Sequence, residues 1–408
     1  MEVPLSGPLE GVKVLDLTAM ISGPTATMIL ADQGAQVIKI ENPKFGDYTR
    51  IVSTNRNGFS AAFLNNNRNK YSVAINLKDK DGVDLLKKMV KDSDVFIQNF
   101  RPEVADRMGL GEKVLRAINP SLIYVSICGF GFSGPYAQKP VYDPLVQALS
   151  GLTTVQAGSD EERPRLVRTI LPDKLTGYAT AQAICASLFQ KLKSGKGDHI
   201  RVSMLDTVLA FLWGSDMGGH TFVGDEYEKE TAQSFIDLIY ETADGFISVA
   251  VQSDKEWEAL CNAFGKKELI NDERFFTAEL RHRNIDDRLR LTQETLKEKK
   301  SVEWLEILTK YDVPCAPVLT RKEAIRHPQV VNNKSIIEIN HSEAGRIRQC
   351  VPAPRFSQFP VSFMRDAPPL GGDTEKILLQ FGLSEEEINS LIQKKVLAAP
   401  KISSEENV

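Results

Sequence analysis

None of the five histidines in this 408-residue chain lies in the first 198 residues. A Ser–His–Asp triad therefore cannot be built within that region, and acid–base or nucleophilic chemistry there falls to carboxylates, lysines or tyrosines. The sequence contains no G-x-x-x-x-G-K-[ST], H-E-x-x-H or G-x-S-x-G motif. Phosphate-loop, zincin and serine-hydrolase chemistry are accordingly not predicted.

One glycine pattern is of the type that binds a dinucleotide. Gly129, Gly131 and Gly134 form a G-x-G-x-x-G sequence after a predicted strand. That motif holds a pyrophosphate when a helix begins at its end and an acid follows about 20 residues later. Pro135 interrupts the continuation and no acid stands at that offset, so we interpret the segment as a glycine-rich loop. Glu41 resembles the ribose-binding acid of nicotinamide dehydrogenases, but the turn before it has one glycine rather than three.

Composition and cysteine spacing exclude several classes of protein. The chain has 50 basic and 54 acidic residues, a net charge of −4 that does not predict nucleic-acid binding. Its five cysteines lie at least 35 residues apart, which predicts neither a disulfide framework nor a metal site. The N-terminal residues lack the basic and apolar parts of a secretory signal, and the longest apolar run, 208–213, is too short to cross a membrane. These features predict a cytoplasmic protein without a resident metal.

The first 220 residues alternate between predicted strands and helices. The β-rich, apolar runs predicted as strands are 12–18, 36–41, 72–77, 94–98 and 122–128. A helix is predicted to open at Pro24 and to stop at Gly34, and another covers 84–92. This alternation is typical of βαβ units, which form a parallel sheet with right-handed crossovers.

The composition changes after the first 220 residues. A glycine-rich polar stretch, 214–230, is interpreted as a linker, and the segments beyond it predict a strand and several helices, at 246–252, 255–264, 285–298, 301–311 and 384–395. The last of these helices is predicted to return to the first domain. The chain is therefore divided into a large domain (1–220), a linker with a small domain (221–327) and a return segment (328–408).

Ungapped stretches throughout the chain resemble one known family. They are 11–18, 22–24, 30–41, 46–47, 69–70, 76–78, 94–102, 106–110, 119–120, 129–131, 134–135, 142–143, 173, 195–204, 244–247, 272–275 and 313–317. Together these stretches resemble the class III CoA-transferases of the CaiB/BaiF type, which include formyl-CoA transferase. The resemblance implies a Rossmann-like large domain, a smaller α+β domain, a C-terminus that returns to the large domain, and two chains interlocked as rings in a homodimer.

The resemblance also implies an activity, the transfer of CoA from an acyl-CoA thioester to a free carboxylic acid. CoA and its thioesters are then substrates, and no tightly bound cofactor is expected. The family's nucleophile corresponds to Asp173, which would form an anhydride with the acyl group and then a thioester with CoA. The apolar spacing after Asp173 predicts a helix that begins just beyond it, so helix N-capping is an alternative role.

The family's CoA site corresponds to seven further residues. They are Ile75, Asn99, Phe100, Arg101, Arg107, Met108 and Tyr142. Guanidinium groups suit the phosphates of CoA, and apolar side chains suit its pantetheine arm. Taken alone, the residues also fit ordinary roles. Arg107 fits a solvated helix charge and Phe100 a core residue, whereas Asn99 fits a strand-end cap and Tyr142 a turn residue.

Three departures from the family pattern bear on substrate and reaction. Formyl-CoA transferase has a glutamine at the position of Ile21, an arginine at that of Asn42, and a tetraglycine loop that is missing here. Because of Ile21 and the missing loop, formyl-CoA and oxalate are not predicted as the substrates. The arginine contacts CoA in that enzyme, so Asn42 implies that the nucleotide end of CoA is held differently here. The racemases of this fold, the alternative activity, place a histidine before an aspartate where this chain has Tyr142 before Asp143. A dehydrogenase or a non-catalytic CoA-binding protein is disfavoured by the incomplete glycine motif and by the presence of Asp173.

Overall fold

The computed structural model describes residues 6–224, 238–359 and 365–398. The chain divides into two compact units, Met1–Ala232 together with Lys334–Val408, and Gln233–Asn333. Residues 225–230 of the predicted linker lie outside the described residues. The roles assigned from the sequence to the three segments of the chain stay predictions.

The elements alternate along the chain. The strands are β1 (Lys13–Asp16), β2 (Gln36–Glu41), β3 (Asn55–Arg56), β4 (Phe59–Ser60), β5 (Lys70–Ile75), β6 (Val95–Gln98), β7 (Ile123–Cys128), β8 (His199–Ser203), β9 (Ile239–Glu241), β10 (Phe246–Val249), β11 (Cys315–Pro317), β12 (Ile336–His341), β13 (Gly345–Cys350) and β14 (Leu397–Ala398). The α-helices are α1 (Ser22–Asp32), α2 (Ala61–Asn67), α3 (Lys80–Val90), α4 (Val104–Arg107), α5 (Glu112–Ile118), α6 (Asp143–Leu149), α7 (Leu152–Ala157), α8 (Leu171–Ser194), α9 (Met204–Trp213), α10 (Asp254–Phe264), α11 (Ala278–Arg283), α12 (Ile285–Leu296), α13 (Ser301–Lys310), α14 (Arg321–Ala324), α15 (Pro328–Asn332), α16 (Thr374–Gln380) and α17 (Glu385–Gln393).

A seven-stranded sheet organises the large unit. Its order is β14-β5-β2-β1-β6-β7-β8, and all neighbours except β14 and β5 are parallel. Counted along the chain, the six parallel strands stand in the order 3-2-1-4-5-6 of a doubly wound nucleotide-binding sheet. The predicted α/β class with a parallel sheet is confirmed. The C-terminal β14 joins the far edge, where Leu397 lies opposite Ile75.

Both faces of this sheet are buried. Val14 of β1 and Val37 of β2 pack with Ile184 of α8 on one face. Their neighbours Leu15 and Ile38 pack on the other face, with residues of α3, α5, α16 and α17. Strands covered on both sides need near-continuous apolar runs rather than alternation. This is why five of the six parallel strands were visible in the sequence.

Helix α1 begins earlier than the sequence predicted. It starts at Ser22 and not at Pro24, which is its third residue. Proline is tolerated there because the first-turn amides have no partner within the helix. The helix ends at Asp32, and Gly34 follows with a φ of 97°, a left-handed conformation that glycine adopts without a Cβ clash.

The small unit has its own core. Its antiparallel sheet has the order β11-β10-β9, and Trp257, Phe275 and Trp304 are nearly fully buried beside it. Across the residues that the structure describes, no helix is both long and apolar enough to span a membrane.

Candidate active site

A cavity of about 240 Å³ lies at the carboxyl ends of β1, β2, β5 and β6. The strand order reverses between β1 and β6, and open parallel sheets bind their ligands in the crevice at such a point. Thr18 and Ala19 of the segment after β1 line the cavity, and so does Lys78 beyond β5. The cavity therefore occupies the position in which this fold holds a nucleotide-like ligand.

Three of the seven residues predicted to bind CoA line this cavity. They are Ile75, Phe100 and Met108. The Asn99 side chain instead binds the backbone of Ala19: its Oδ1 accepts a hydrogen bond from the amide at 3.0 Å, and its Nδ2 donates one to the carbonyl at 2.8 Å. Asn99 thus builds the wall of the cavity from behind.

The other three predicted CoA residues are exposed. Arg101 follows Phe100 directly and Arg107 precedes Met108, so the backbone of each arginine adjoins a residue that lines the cavity. Arg107 pairs only loosely with Glu103, at 3.9 Å. Tyr142 lies outside the cavity lining and forms the N-cap position of α6. The two arginines are therefore available to an anionic ligand at the rim.

Glu41, the residue that resembles a dinucleotide-binding acid, is already fully engaged. Its Oε1 accepts hydrogen bonds from the amide of Asp47 and from Nε of Arg50, at 2.9 and 2.8 Å. Its Oε2 accepts from Arg50 Nη2 and from the Ser72 hydroxyl, both at 2.6 Å. A carboxylate held in this way has no free position for a ribose hydroxyl. The dehydrogenase alternative is therefore disfavoured by the structure as well.

Asp173 is the third residue of α8. The predicted helix start just after Asp173 is wrong, because Leu171 and Pro172 are already helical and Ile170 takes the N-cap position. Proline fits the first turn, where a missing amide costs no intrahelical bond. Asp173 is consequently not an N-cap, and its carboxylate belongs to the first turn, where the helix dipole favours negative charge.

A second carboxylate, that of Asp143, lies against the start of α8. Its Oδ2 accepts a hydrogen bond from the backbone amide of Asp173 at 3.2 Å, and its Oδ1 accepts one from Nε2 of Gln147 at 2.6 Å. The Oε1 of Gln147 accepts the amide of Val167 at 2.9 Å. Asp143 and Gln147 are both nearly fully buried. They tie α6 to the segment that leads into α8 and so fix the position of Asp173.

The surroundings of Asp173 make it an unusually basic aspartate. Burial, and secondly the carboxylate of Asp143, raise the pKa of Asp173 to about 6. Hydrogen bonds from the hydroxyl and the backbone amide of Ser22 oppose that rise. Burial also raises the pKa of Asp143, although hydrogen bonds from Gln147 and from the amide of Asp173 lower it. At pH 7 Asp173 is mostly ionised and is more basic than an ordinary carboxylate.

Ser22 is the first residue of α1 and is buried. Since Asp173 lies in the first turn of α8, the N-terminal turns of two helices meet at one carboxylate. Such donors stabilise a negative charge on oxygen, in the resting carboxylate and in any oxyanion that forms there. The site thus combines a basic carboxylate with fixed donors and lies next to the segment that lines the cavity.

Residues 9–374 match the family described as CoA-transferase family III. The chain belongs to CoA-transferase family III. The human succinyl-CoA:glutarate CoA-transferase is 36% identical over 382 residues, which cover 91% of this chain and 85% of that protein. The acetyl-CoA:oxalate CoA-transferase of Acetobacter aceti is 35% identical over 81% of this chain and 86% of that protein. A CaiB/BaiF family protein of Brucella suis has a similar crystal structure, with a TM-score of 0.79, 29% identity and coverage of 92% of this chain and 100% of that one.

Two residues of this family member's candidate site were not predicted from the sequence. Ser22 and Asp143 both adjoin Asp173, yet they lie 151 and 30 positions from it along the chain, so spacing could not connect them. The available signal was their place in the stretches that carry the family resemblance: Ser22 opens Ser22-Gly23-Pro24, and Asp143 follows Tyr142.

Two positions that depart from formyl-CoA transferase lie beside the site. Ile21 is the N-cap residue of α1, directly before Ser22, and is half-buried. Asn42 lines the cavity, but its Oδ1 accepts a hydrogen bond from the amide of Lys44 at 2.9 Å and so holds a turn. The neutral side chain at position 42 is thus occupied with the backbone of its own turn.

Proposed function

We propose that this chain is a CoA-transferase that moves CoA from an acyl-CoA thioester to a free carboxylic acid, with Asp173 as the covalent nucleophile. The observation that carries the proposal is the basic carboxylate of Asp173 beside Ser22. The segment that joins Ser22 to β1 lines the cavity at the sheet, so this carboxylate lies close to the proposed CoA site. CoA would lie in that cavity, between Ile75, Phe100 and Met108, with Arg101 and Arg107 at its phosphates. CoA and its thioesters are substrates in this scheme, and no other cofactor takes part.

The reaction follows as four balanced exchanges. A carboxylate oxygen of Asp173 attacks the thioester carbonyl and the C–S bond breaks. CoA departs as its thiolate, and an aspartyl–acyl anhydride remains on the enzyme. The thiolate then attacks the aspartyl carbonyl of this anhydride, releasing the donor acid and forming an aspartyl-CoA thioester. The acceptor carboxylate attacks that thioester and displaces the thiolate. Finally the thiolate attacks the acceptor carbonyl of the new anhydride, which yields the new acyl-CoA and frees Asp173.

The neighbours of Asp173 suit these steps. Each attack on the aspartyl carbonyl places negative charge on an oxygen that lies beside the amide and hydroxyl of Ser22. Asp143 is held by Gln147 and by the amide of Asp173, so it acts as a positioning residue and not as a second nucleophile. The racemase alternative needs a histidine directly before Asp143. That position holds the exposed Tyr142, and the residues that act on the Asp173 carboxylate are Asp143 and Ser22, so this alternative is not favoured.

The acceptor is proposed to be a dicarboxylic acid. The acids in the names of the human and Acetobacter relatives, glutarate and oxalate, are dicarboxylic. In this chain Arg163, Arg165 and Arg168 are exposed on the segment between α7 and α8 that leads into Asp173. When one carboxylate of the acceptor reacts at Asp173, a guanidinium of this segment suits the other.

A substrate panel tests the proposed function. Succinyl-CoA and acetyl-CoA are each offered with oxalate, succinate and glutarate and with acetate, butyrate and pentanoate, except that a donor is not paired with its own acid, and the CoA esters formed are read by mass spectrometry. We expect transfer to a dicarboxylic acid at least about tenfold faster than to its monocarboxylic match. Equal rates would reject the dicarboxylic acceptor. Absence of transfer in every pair, together with deuterium wash-in at the α-carbon of a CoA ester, would favour the isomerase.

Arg107 provides a prediction about CoA binding. Arg107→Ala should raise KM for the acyl-CoA about tenfold or more and leave kcat within about twofold, because a phosphate contact acts on ground and transition states alike. Arg283→Ala is the matched control, since Arg283 forms a comparable exposed i,i+4 ion pair with Glu279 in the small unit. A lowered kcat with unchanged KM would assign Arg107 another role.

The chain is also proposed to form a homodimer. Phe189 and Leu192 on α8 and Phe211 and Trp213 on α9 expose 50–85% of their surface, and apolar side chains of this size are typical of interfaces. Light scattering of the active protein at submicromolar concentration tests this assembly, and an active monomer would reject it. The cytoplasmic location expected from the sequence stays a prediction.

A further inference from the structure

The segment between β1 and α1, residues 17–21, will be called the β1–α1 loop. It connects the two parts of the candidate site, because Thr18 and Ala19 line the cavity and Ser22, which follows the loop, acts on the carboxylate of Asp173. A shift of this loop would therefore move the donors of Ser22 relative to the nucleophile. The proposed reaction assigns no residue the task of holding this loop in place.

Three consecutive amides of the loop each bind a side chain from a different element. The amide of Thr18 donates to Asp16 Oδ1 at 2.9 Å. The amide of Ala19 donates to Asn99 Oδ1 at 3.0 Å. The amide of Met20 donates to Asp47 Oδ1 at 3.2 Å. These side chains come from the end of β1, from the segment after β6 and from the segment after β2, so the loop is bound to three strand ends at once.

The carbonyl groups are held as well. The Nζ of Lys39 donates to the carbonyl of Thr18 at 2.8 Å and pairs with Oδ2 of Asp47 at 2.9 Å. Lys39 is fully buried and Asp47 is 3% exposed. Burying such a pair costs desolvation that its mutual attraction often fails to offset, so stability alone is a weak reason for its presence.

Met20 is held in a backbone conformation that its side chain disfavours. Its φ is 70°, in the left-handed region that glycine adopts readily and methionine rarely. Strained residues of this kind persist where their surroundings over-determine them, and they cluster at functional sites. Here Asp47 holds the amide of Met20, two residues before Ser22, and the following Ile21 accepts the first helical hydrogen bond of α1 from Thr25 at 2.8 Å.

We infer that the buried Lys39–Asp47 pair, together with Asn99, positions the β1–α1 loop so that the amide and hydroxyl of Ser22 face the carboxylate of Asp173. These are positioning residues and do not touch the reacting atoms. The inference rests on the proposed role of Asp173. It gives a positioning role to Lys39 and Asp47, to which the family resemblance assigned no role, and to Asn99, which the resemblance assigned to CoA.

Asp47→Asn tests the inference through the pH dependence of kcat/KM for the acyl-CoA. The substitution keeps an oxygen for Met20 but removes the charge that holds Lys39. In the wild type the pKa of Asp173 is about 6, so kcat/KM at pH 6 should be about half its value at pH 8. When the hydrogen-bond donors of Ser22 move away in the variant, the pKa of Asp173 should rise by about one unit. The acid limb of the kcat/KM profile then moves to higher pH, and the ratio of kcat/KM at pH 6 to that at pH 8 falls about fivefold. A loss of stability alone leaves the ratio unchanged.

Two further variants keep the test decisive. Asn99→Ala removes two hydrogen bonds from a half-buried position and replaces Asp47→Asn if that variant does not fold; it should lower the same ratio. Asp32→Asn is the control, because Asp32 is a comparably buried carboxylate in an ion pair with Arg68 at 2.6 Å, at the opposite end of α1. It should destabilise the fold and leave the ratio unchanged.

The inference and the proposed function fail separately. An unchanged ratio in a folded Asp47→Asn variant, with Asp173 still essential, would reject the positioning role and leave the transferase mechanism intact. Turnover that survives Asp173→Asn would reject the mechanism itself. A ratio that falls equally in Asp32→Asn would show that any loss of a buried charge moves the profile, and would also reject the specific role of Lys39 and Asp47.

Discussion

Asp173→Asn should reduce CoA transfer to background, at least about a thousandfold below the wild type. An amide oxygen cannot displace CoA from a thioester, so neither the anhydride nor the aspartyl-CoA thioester can form. In the wild type, an acyl-CoA reaction quenched with hydroxylamine should convert Asp173 to its hydroxamate, because anhydride and thioester carbonyls are electrophilic whereas a free carboxylate is not. Peptide mass spectrometry locates this modification, and a hydroxamate at a different residue would place the covalent step elsewhere.

The same variant should fold at least as stably as the wild type at neutral pH. Burial raises the pKa of Asp173 from 3.8 to about 6 in the folded protein, so the folded state disfavours the ionised form. Below pH 3.8 both folded and unfolded chains carry the proton, and this penalty is absent. It grows as the pH rises to 6 and is complete above that. Discounted for solvent screening, the gain from asparagine is about 1 kcal/mol at pH 7.5 and close to zero at pH 3.5.

Asp206→Asn is the matched control for Asp173→Asn. Asp206 is also the third residue of a helix in the large unit, α9, where its amide donates to the Ser203 hydroxyl at 3.0 Å. It should keep turnover within about twofold and lose a few tenths of a kcal/mol, because a carboxylate in the first turn of a helix is favourable. Urea unfolding at both pH values separates the two cases: only Asp173→Asn should gain stability as the pH rises.

The sheet was predictable from the sequence because its strands are buried on both faces. Runs such as 94–98 and 122–128 are apolar enough to be recognised without tertiary information. β8 (His199–Ser203) was not predicted, since it is an edge strand whose exposed Arg201 and half-buried His199 break the apolar pattern. The start of α8 was predicted too late because it was placed by the apolar spacing after Asp173, whereas Leu171 and Pro172 already belong to the first turn, where a proline is compatible with the helix.

The site was only partly predictable, because its decisive contacts are non-local. The family resemblance singled out Asp173, but the pKa of Asp173 depends on its burial and on Asp143, which both raise it, and on Ser22, which lowers it; the fold brings Asp143 and Ser22 to Asp173 from α6 and α1. The family resemblance assigned Asn99 to CoA binding, whereas its hydrogen bonds to the backbone of Ala19 join residues 80 positions apart, which local sequence cannot connect. Likewise, nothing in the local sequence around Glu41 shows that Arg50 occupies both of its oxygens.

The close approach of α1 and α8 is a further non-local feature, and it leads to a second large expected effect. Gly177 lies one turn after Asp173 on the buried side of α8. A Cβ at this position would be 2.8 Å from the Cβ of Thr25 and 2.9 Å from the carbonyl oxygen of Ser22. Both distances are shorter than carbon contacts allow, so any side chain at position 177 must push α1 away from α8.

Gly177→Ala should therefore lose both stability and activity, against the trend of helix propensity. Alanine favours a helix interior by about 1 kcal/mol over glycine, whereas overpacking costs about 1–3 kcal/mol, so the net change should be destabilising. Because Ser22 is one of the groups displaced, kcat should fall about tenfold or more, with a smaller change in KM for the acyl-CoA. Denaturant unfolding and steady-state kinetics on the same preparation measure both effects.

Gly214→Ala separates this steric effect from a general sensitivity to glycine replacement. Gly214 ends α9 in the same unit with a φ of −64°, and a Cβ there would lie 3.4 Å from its nearest neighbour, the carbonyl oxygen of Phe211. It should keep wild-type stability within about 0.5 kcal/mol and wild-type turnover. If Gly177→Ala keeps both full stability and full turnover, the close approach of α1 and α8 does not set the position of Ser22. If Gly177→Ala loses stability but retains kcat, the packing argument holds and Ser22 is not needed at the nucleophile.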